Sequence, residues 1–97
     1  MRAARDRLAE MPVVILRAPL KDLAGGNNRL RLEGDDVRAV IRSLESSWPK
    51  TVGWVLDDQA RVRQHVNVFL NGERVREDAT VAPEDTLHVL ASITGGS

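Results

Sequence analysis

The chain has 97 residues, 14 of them basic and 14 acidic, which gives a formal net charge of zero at neutral pH. This length is typical of one domain, and the neutral balance argues against nucleic-acid binding, which depends on neutralising phosphate charges. The absence of cysteine excludes disulfides, thiolate metal sites and cysteine nucleophiles, and the longest apolar run is far too short to span a membrane.

The first ten residues are charged and rich in helix formers. We expect residues 1–10 to be an N-terminal extension, either a frayed, disordered leader or the product of a start codon upstream of a true start at Met11. A specific docking role for this extension is the alternative. Its basic start is not followed by the apolar segment of a secretory signal, so we expect a cytoplasmic protein.

Two runs predict a first β-hairpin with a wide loop. Residues 11–18 are rich in β-branched and long apolar side chains, which favour a strand. Residues 29–33 alternate charged and apolar side chains, which predicts a half-buried strand with Leu30 and Leu32 facing inward. The intervening residues 20–28 are predicted to form a loop, because Gly-Gly-Asn-Asn tolerates the backbone angles of turns.

A helix is predicted after Gly34, with Asp35 as the residue that caps its first turn. Apolar side chains recur there at the spacing of one helix face, which predicts that this face is buried: Val37, Val40, Ile41 and Leu44. The opposite, exposed face is predicted to carry the polar residues Arg38, Arg42, Glu45 and Ser46. Pro49 ends the helix, because the residue before a proline disfavours helical geometry.

The segment after the helix is less regular. Residues 52–56 are mostly apolar, and we predict a short helical turn that covers one end of the core. Trp48 and Trp54 are interpreted as covers for the edge of the core rather than as a ligand site. Residues 57–59 predict a turn, in which the adjacent carboxylates are solvated rather than catalytic or calcium-binding.

Three strands are predicted in the remainder of the chain. Residues 66–70 form an apolar strand, and Asn71-Gly72 predicts a type I′ hairpin turn into a short return strand at 73–75. An acidic turn follows, and the last strand is predicted over residues 86–92.

The predicted order of elements is strand, strand, helix, strand, short strand and strand. This order indicates an α+β fold in which one mixed sheet packs on one main helix. It is the β-grasp, or ubiquitin-like, arrangement. We therefore expect a β-grasp domain over residues 11–93 and a flexible C-terminal diglycine tail over residues 94–97.

Several stretches resemble the MoaD/ThiS family of ubiquitin-like sulfur carriers. The run His65–Val75, an apolar strand that ends in Asn-Gly, is similar to the strand-turn-strand segment of the family. The run Asp85–Leu90 is similar to the family's last strand, and Gly95-Gly96 matches its terminal diglycine. The first loop is similar to the first loop of the family branch that supplies sulfur for cysteine and related specialised products. The residues that carry this similarity are Pro19, Leu20, Gly25 and Gly26.

The resemblance implies a carrier rather than an enzyme. In the family, a partner adenylating enzyme uses ATP to activate the terminal glycine carboxylate, and sulfur then replaces AMP to give a thiocarboxylate. By this resemblance Gly96 would carry the acyl adenylate and then the sulfur, while Gly95 would help the tail to enter a narrow channel. The carrier would bind no cofactor and no metal itself, and it would deliver sulfur to an accepting biosynthetic enzyme.

The sequence departs from the family pattern at two points. Family members commonly have a proline before the diglycine, which the stretch 91–94 lacks, and their active form ends on the second glycine, whereas Ser97 follows Gly96 here. We expect a metal-dependent peptidase to remove Ser97, as happens in some carriers of this kind. Alternatively, Ser97 is a cloning residue, or it blocks activation permanently and leaves an interaction domain.

Alternation along the strands also predicts a docking surface. If the helix-facing side chains are Leu87 and Val89, then Phe69 and Leu90 face away from the helix. Together with Ile93 they would form an apolar cluster on the open side of the sheet, which suits a partner enzyme and resembles the partner-facing surface of the family. The alternative is ordinary cross-strand packing.

Two other functions use the same tail and stay open at this point. One is a ubiquitin-like modifier that is joined to lysines of other proteins. The other is the small subunit of a molybdopterin-synthase-type complex. The histidines His65 and His88 lack the spacing of a metal site, and we expect them to be surface residues.

Overall fold

The computed structural model describes residues 10–91 of the chain. Five strands occur in these residues, β1 Val13–Leu16, β2 Arg29–Arg31, β3 Val66–Leu70, β4 Glu73–Val75 and β5 Thr86–Ala91. The helices are α1 Leu20–Leu23, α2 Val37–Ser47 and a 3₁₀ turn at Pro49–Thr51. The predicted tail and residues 1–9 of the predicted extension lie outside the described residues. Within them, neither α-helix is long and apolar enough to cross a membrane.

The strands form one mixed sheet in the order β2-β1-β5-β3-β4. The first and last strands are parallel neighbours, with Val13 opposite Thr86 and Leu16 opposite Val89. All other pairs in the sheet are antiparallel. The predicted α+β fold, a mixed sheet on one main helix, is confirmed.

The core lies between α2 and one face of the sheet. The predicted apolar face of α2 is confirmed, since Val37, Val40, Ile41 and Leu44 have no exposed surface. They pack in one cluster with alternate residues of the three central strands: Val14, Leu16, Val66, Val68, Leu87 and Val89. Full burial of an aliphatic side chain of this size is worth about 1.5–3 kcal/mol each, so this two-layer contact is the main stabilising element of the fold.

Two local predictions about the first half of the chain were wrong. The predicted loop at 20–28 begins with the helical turn α1, because Leu20 enters the core and is fully buried. The helix cap is Asp36 instead of Asp35, since the Asp36 carboxylate accepts a hydrogen bond of 2.7 Å from the N–H of Ala39. Asp35 uses its carbonyl oxygen to accept from the N–H of Val81, which ties the start of α2 to the chain before β5.

The two tryptophans differ in their surroundings. Trp48 is half-buried against the core, as predicted, and its ring lies over Gly25, where an added Cβ would be 2.7 Å from the indole. Trp54 is 37% exposed and Val52 is 58% exposed, so the prediction that Trp54 covers the core was wrong. The reason is the positive φ of 85° at Gly53, which turns the chain so that Val55 and Leu56, both buried, enter the core instead.

The predicted type I′ hairpin is confirmed by positive φ angles of 51° at Asn71 and 89° at Gly72. Asn71 also holds the start of β5. Its backbone N–H donates to the Thr86 carbonyl, and its side-chain oxygen accepts from the Thr86 N–H at 2.9 Å. The side-chain amide N–H donates to a carboxylate oxygen of Asp85 at 2.8 Å. The other Asp85 oxygen accepts from the N–H of Ala82.

Glu45 does not lie on the exposed face of α2, where it was predicted. Its side chain is only 7% exposed, and Oε1 pairs with the Arg42 guanidinium at 2.8 Å. The chain after the helix folds back along this side, as the hydrogen bond from Arg38 Nε to the Ala60 carbonyl indicates. Within residues 10–91, the buried Oε2 of Glu45 has no hydrogen-bond partner, so this carboxylate is incompletely compensated.

We expect Glu45→Leu to raise the free energy of unfolding by about 1 kcal/mol, because replacing a poorly compensated buried charge with an apolar side chain is often stabilising. Arg42→Ala should lower it by about 1 kcal/mol, because the buried carboxylate then loses its cation. Urea unfolding of both variants and the parent chain measures the two effects. Equal destabilisation by both substitutions would contradict this account.

The Asn71–Asp85 contacts predict an acid-dependent loss of stability. The pKa of Asp85 is lowered from its usual value, first by the hydrogen bond from the Ala82 N–H and then by the Asn71 side chain. Because the folded pKa lies below the unfolded one, the stabilisation is fully present above pH ~4 and is lost as the pH falls through the folded pKa.

Asp85→Asn should therefore give a shallower loss of stability than the parent chain between about pH 5 and pH 2. Urea unfolding across this range measures both slopes. The variant Glu84→Gln, which removes the neighbouring carboxylate, serves as the matched control and should follow the parent curve. Parallel curves for the Asp85 variant and the parent would show that Asp85 does not contribute.

Candidate functional site

The site is organised around β5, the strand that leads to residues 92–97. This strand lies between β1 and β3 and pairs with both of them. Its inward residues Leu87 and Val89 have no exposed surface. At its end, Ala91 is paired with Val66, so the point from which the tail continues is fixed to the centre of the sheet.

The face of the sheet opposite α2 is termed the open face, and one row of side chains crosses all five of its strands. The row follows from the pairing of Ile15 with Arg29 and with His88, and of Phe69 with His88 and with Arg74. Ile15, His88 and Phe69 are half-buried. The centre of the row is therefore largely apolar, and an arginine lies at each edge.

Leu90 pairs with Asn67, which lies two residues before Phe69 in β3 and therefore on the same face. Leu90 thus also lies on the open face, diagonally across from Phe69. The structure thus brings together two of the three residues predicted to dock a partner, and both are half-buried. Ile93, the third, lies outside the described residues, as do Gly95, Gly96 and Ser97. The docking role of these residues stays a prediction.

The open face is basic at its border. Arg29 and Arg31 in β2 and Arg74 in β4 are exposed and pair with residues of this face. The pairing of Leu70 with Glu73 places Glu73 on the helix side instead. Among the outward positions of the five described strands, none is acidic. A protein surface that is apolar in the middle and acidic at its border would complement this arrangement.

A groove lies beside the end of β5, and it was not predicted from the sequence. It has a volume of about 330 Å³ and is called the Trp54 groove here. Its lining comes from three separate parts of the chain: Trp54, Asp57, Arg63, Gln64, His65, Val66 and Ala91. Arg63 fixes one wall, because its Nε donates a hydrogen bond of 2.6 Å to the Gly53 carbonyl.

Asp57 belongs to the turn that was predicted at 57–59. Its carboxylate accepts hydrogen bonds from the N–H groups of Gln59 and Arg61, at 2.8 and 3.0 Å. These two bonds, that of Arg61 first, hold the pKa of Asp57 below its usual value. The carboxylate thus stabilises the turn. Within residues 10–91, no group of three or more metal-binding side chains is found.

Comparison with known proteins extends these observations. Residues 14–96 match the model of the ThiS family, a span that includes β5 and the Gly95-Gly96 pair. No curated protein sequence matches the chain at a significant level.

Solved structures match most of the chain. SAMP1 from Haloferax volcanii is 28% identical with a TM-score of 0.71, and the match covers 87% of this chain and 97% of that one. A chain of the BexX/CysO complex from Amycolatopsis orientalis is 25% identical with a TM-score of 0.78, covering 87% of this chain and 98% of that one. CysO from Mycobacterium tuberculosis, at 23% identity, a TM-score of 0.75 and coverages of 84% and 98%, shares the fold.

The five-stranded sheet and the single main helix agree with these matches. The chain has the ubiquitin-like β-grasp fold of MoaD/ThiS sulfur carriers and modifiers. Because the family match spans nearly the whole sequence, the chain belongs to the ThiS family.

Proposed function

We propose that this protein is a sulfur carrier that works through the carboxyl group of Gly96. A partner adenylating enzyme joins this carboxylate to the α-phosphate of ATP and releases pyrophosphate. A sulfide equivalent then attacks the acyl carbon, AMP leaves, and a thiocarboxylate remains. The observation that carries the proposal is the ThiS family match, which runs through β5 to Gly96.

The properties of the tail support this proposal. Glycine has no side chain and adopts conformations that other residues avoid, so Gly95-Gly96 suits a narrow channel and leaves the acyl carbon accessible. Gly96 is the fifth residue after Ala91, and an extended chain of five residues spans at most about 18 Å. The rigid end of β5 therefore limits how far the reactive group can be from the domain.

The carrier is a protein co-substrate, and the enzymes that act on it supply the catalysis. It holds no cofactor in this scheme, and ATP is bound and used by the adenylating enzyme. Gly96 must be the terminal residue before it can be activated, so we assign removal of Ser97 to a metal-dependent peptidase. A biosynthetic enzyme then transfers the sulfur to its acceptor, and hydrolysis, in which water supplies the missing oxygen, returns the carrier with a carboxylate.

The open face is the proposed docking surface for these partners. Phe69 and Leu90 supply the apolar centre, and Ile93 is the proposed extension of this surface toward the tail. The arginines at its border favour a partner surface with carboxylates around an apolar centre, which would increase the rate of association and orient the two proteins.

The first test compares the chain that ends at Gly96 with the chain that retains Ser97. After incubation with the adenylating enzyme, ATP and a sulfide source, intact-mass analysis should show the exchange of one oxygen for sulfur only in the chain that ends at Gly96. Gly96→Ala adds a methyl group to the Cα beside the reactive carboxyl carbon, and this variant should gain sulfur more slowly. Absence of sulfur from the Gly96-ending chain would refute the carrier function.

A second test concerns the open face. Phe69→Thr keeps a residue that favours strands but removes the aromatic contact, and we expect about a tenfold rise in the KM of the adenylating enzyme for the carrier, equal to ~1.4 kcal/mol. Glu84→Ala, in the turn at the other end of β5, is the matched control and should leave KM unchanged. An unchanged KM for the Phe69 variant would exclude this face from docking.

A modifier function is the second candidate, since SAMP1, a small archaeal modifier protein, is 28% identical to this chain. The same activated Gly96 would then be attacked by a lysine amine, with loss of AMP. Because Arg76 is the last tryptic cleavage site before Gly96, tryptic digestion would leave residues 77–96 attached to a modified lysine. A search of digested cellular proteins for this remnant would distinguish the two functions.

A further inference from the structure

The Trp54 groove contains an aromatic side chain that is partly exposed and does not belong to the core. Trp54 is 37% exposed and lies outside the cluster that forms the core. Tryptophan is among the residues that contribute most to binding when a partner covers them, because a large apolar area is buried with few side-chain torsions to fix. The exposed indole is therefore a candidate anchor for another protein.

The position of the groove indicates which protein would cover it. Ala91, the last described residue, lines the groove, and Gly96 is at most about 18 Å away along the chain. A typical interface covers about 800 Å² on each partner, which corresponds to a patch about 16 Å in radius. An enzyme that encloses Gly96 must approach the end of β5, and a contact of this size centred there includes the groove.

The side chains that line the groove indicate which groups of a partner would bind there. The Asp57 carboxylate already accepts two backbone N–H groups of its own turn. Arg63 and His65, both exposed, provide hydrogen-bond donors in the same lining. An apolar side chain against the indole, with a carboxylate near the Arg63 guanidinium, would complement these groups.

We propose that the Trp54 groove is a second contact site for the adenylating enzyme, separate from the open face. The enzyme inserts an apolar side chain against Trp54 and places a carboxylate beside Arg63. The two contacts lie on different sides of the β5 end, so together they orient the tail toward the active site. This inference rests on the carrier function proposed above.

The test uses the Gly96-ending chain and the adenylating enzyme that sulfurates it. Trp54→Ala should raise the KM for the carrier about tenfold with little change in kcat, since the groove contributes to binding and not to the reaction. Arg63→Glu should raise KM as well, and added salt should reduce the difference from the parent chain. Val52→Ser is the matched control, because Val52 is exposed in the same loop but does not line the groove.

The outcomes separate the two proposals. If the parent chain gains no sulfur, the carrier function and the groove contact both fail. If the parent chain gains sulfur and Trp54→Ala has the parent KM, only the groove contact is refuted. Circular dichroism and urea unfolding of each variant exclude loss of the fold as the cause of a raised KM.

A fluorescence measurement tests two other occupants of the groove, the chain's own tail and a second copy of the protein. In a Trp48→Phe background, Trp54 is the only tryptophan, and acrylamide quenching reports its accessibility. We expect equal quenching in the full chain and in a chain ending at Ala91, at all protein concentrations, and protection on adding the adenylating enzyme. Greater quenching after tail removal, or protection at high protein concentration alone, would overturn the proposal.

Discussion

The arrangement of the protein depends on the pairing of β5 with β1 on one edge and with β3 on the other. These contacts place the last described strand in the middle of the sheet, with Leu87 and Val89 buried against α2. Ala91, at the end of this strand, is held by its pairing with Val66 and by its packing against the core. The tail thus starts from a fixed point, and both candidate contact surfaces, the open face and the Trp54 groove, lie next to that point.

The sequence alone predicted the parts of the fold that depend on local patterns. The apolar face of α2 follows from its helical spacing, and the bounds of β3 and the Asn71-Gly72 turn follow from alternation and turn chemistry. The errors concern residues whose burial depends on the path of the chain in three dimensions. Glu45 is buried on the side of α2 where Arg38 donates to the Ala60 carbonyl, a contact between residues 22 positions apart that no local pattern indicates. Trp54 is exposed because the positive φ of Gly53 redirects the chain, and a glycine adopts negative φ about as readily, so its presence does not predict that turn.

The same distinction applies to the candidate site. Alternation within β3 and β5 was enough to place Phe69 and Leu90 on the open face. The row that joins Phe69 to Ile15 and the border arginines requires the register of all five strands, including a parallel pair that no local signal identifies. The Trp54 groove was missed for a related reason, since its lining comes from three separated segments. Residues assembled across the sequence become recognisable only once the topology is known.

The central parallel pair also has a consequence for biosynthesis. Val13 and Thr86 are neighbours in the sheet although they lie near opposite ends of the described chain. Contacts of such long sequence separation form late and slow the folding reaction. During translation, the sheet cannot close before Thr86–Ala91 has left the ribosome, and Gly96 is the fifth residue after this strand. A nascent chain truncated before β5 lacks the centre of its sheet, so cellular quality control would encounter it unfolded and without a tail. In this topology, acquisition of the native fold and completion of the reactive segment are nearly the same event.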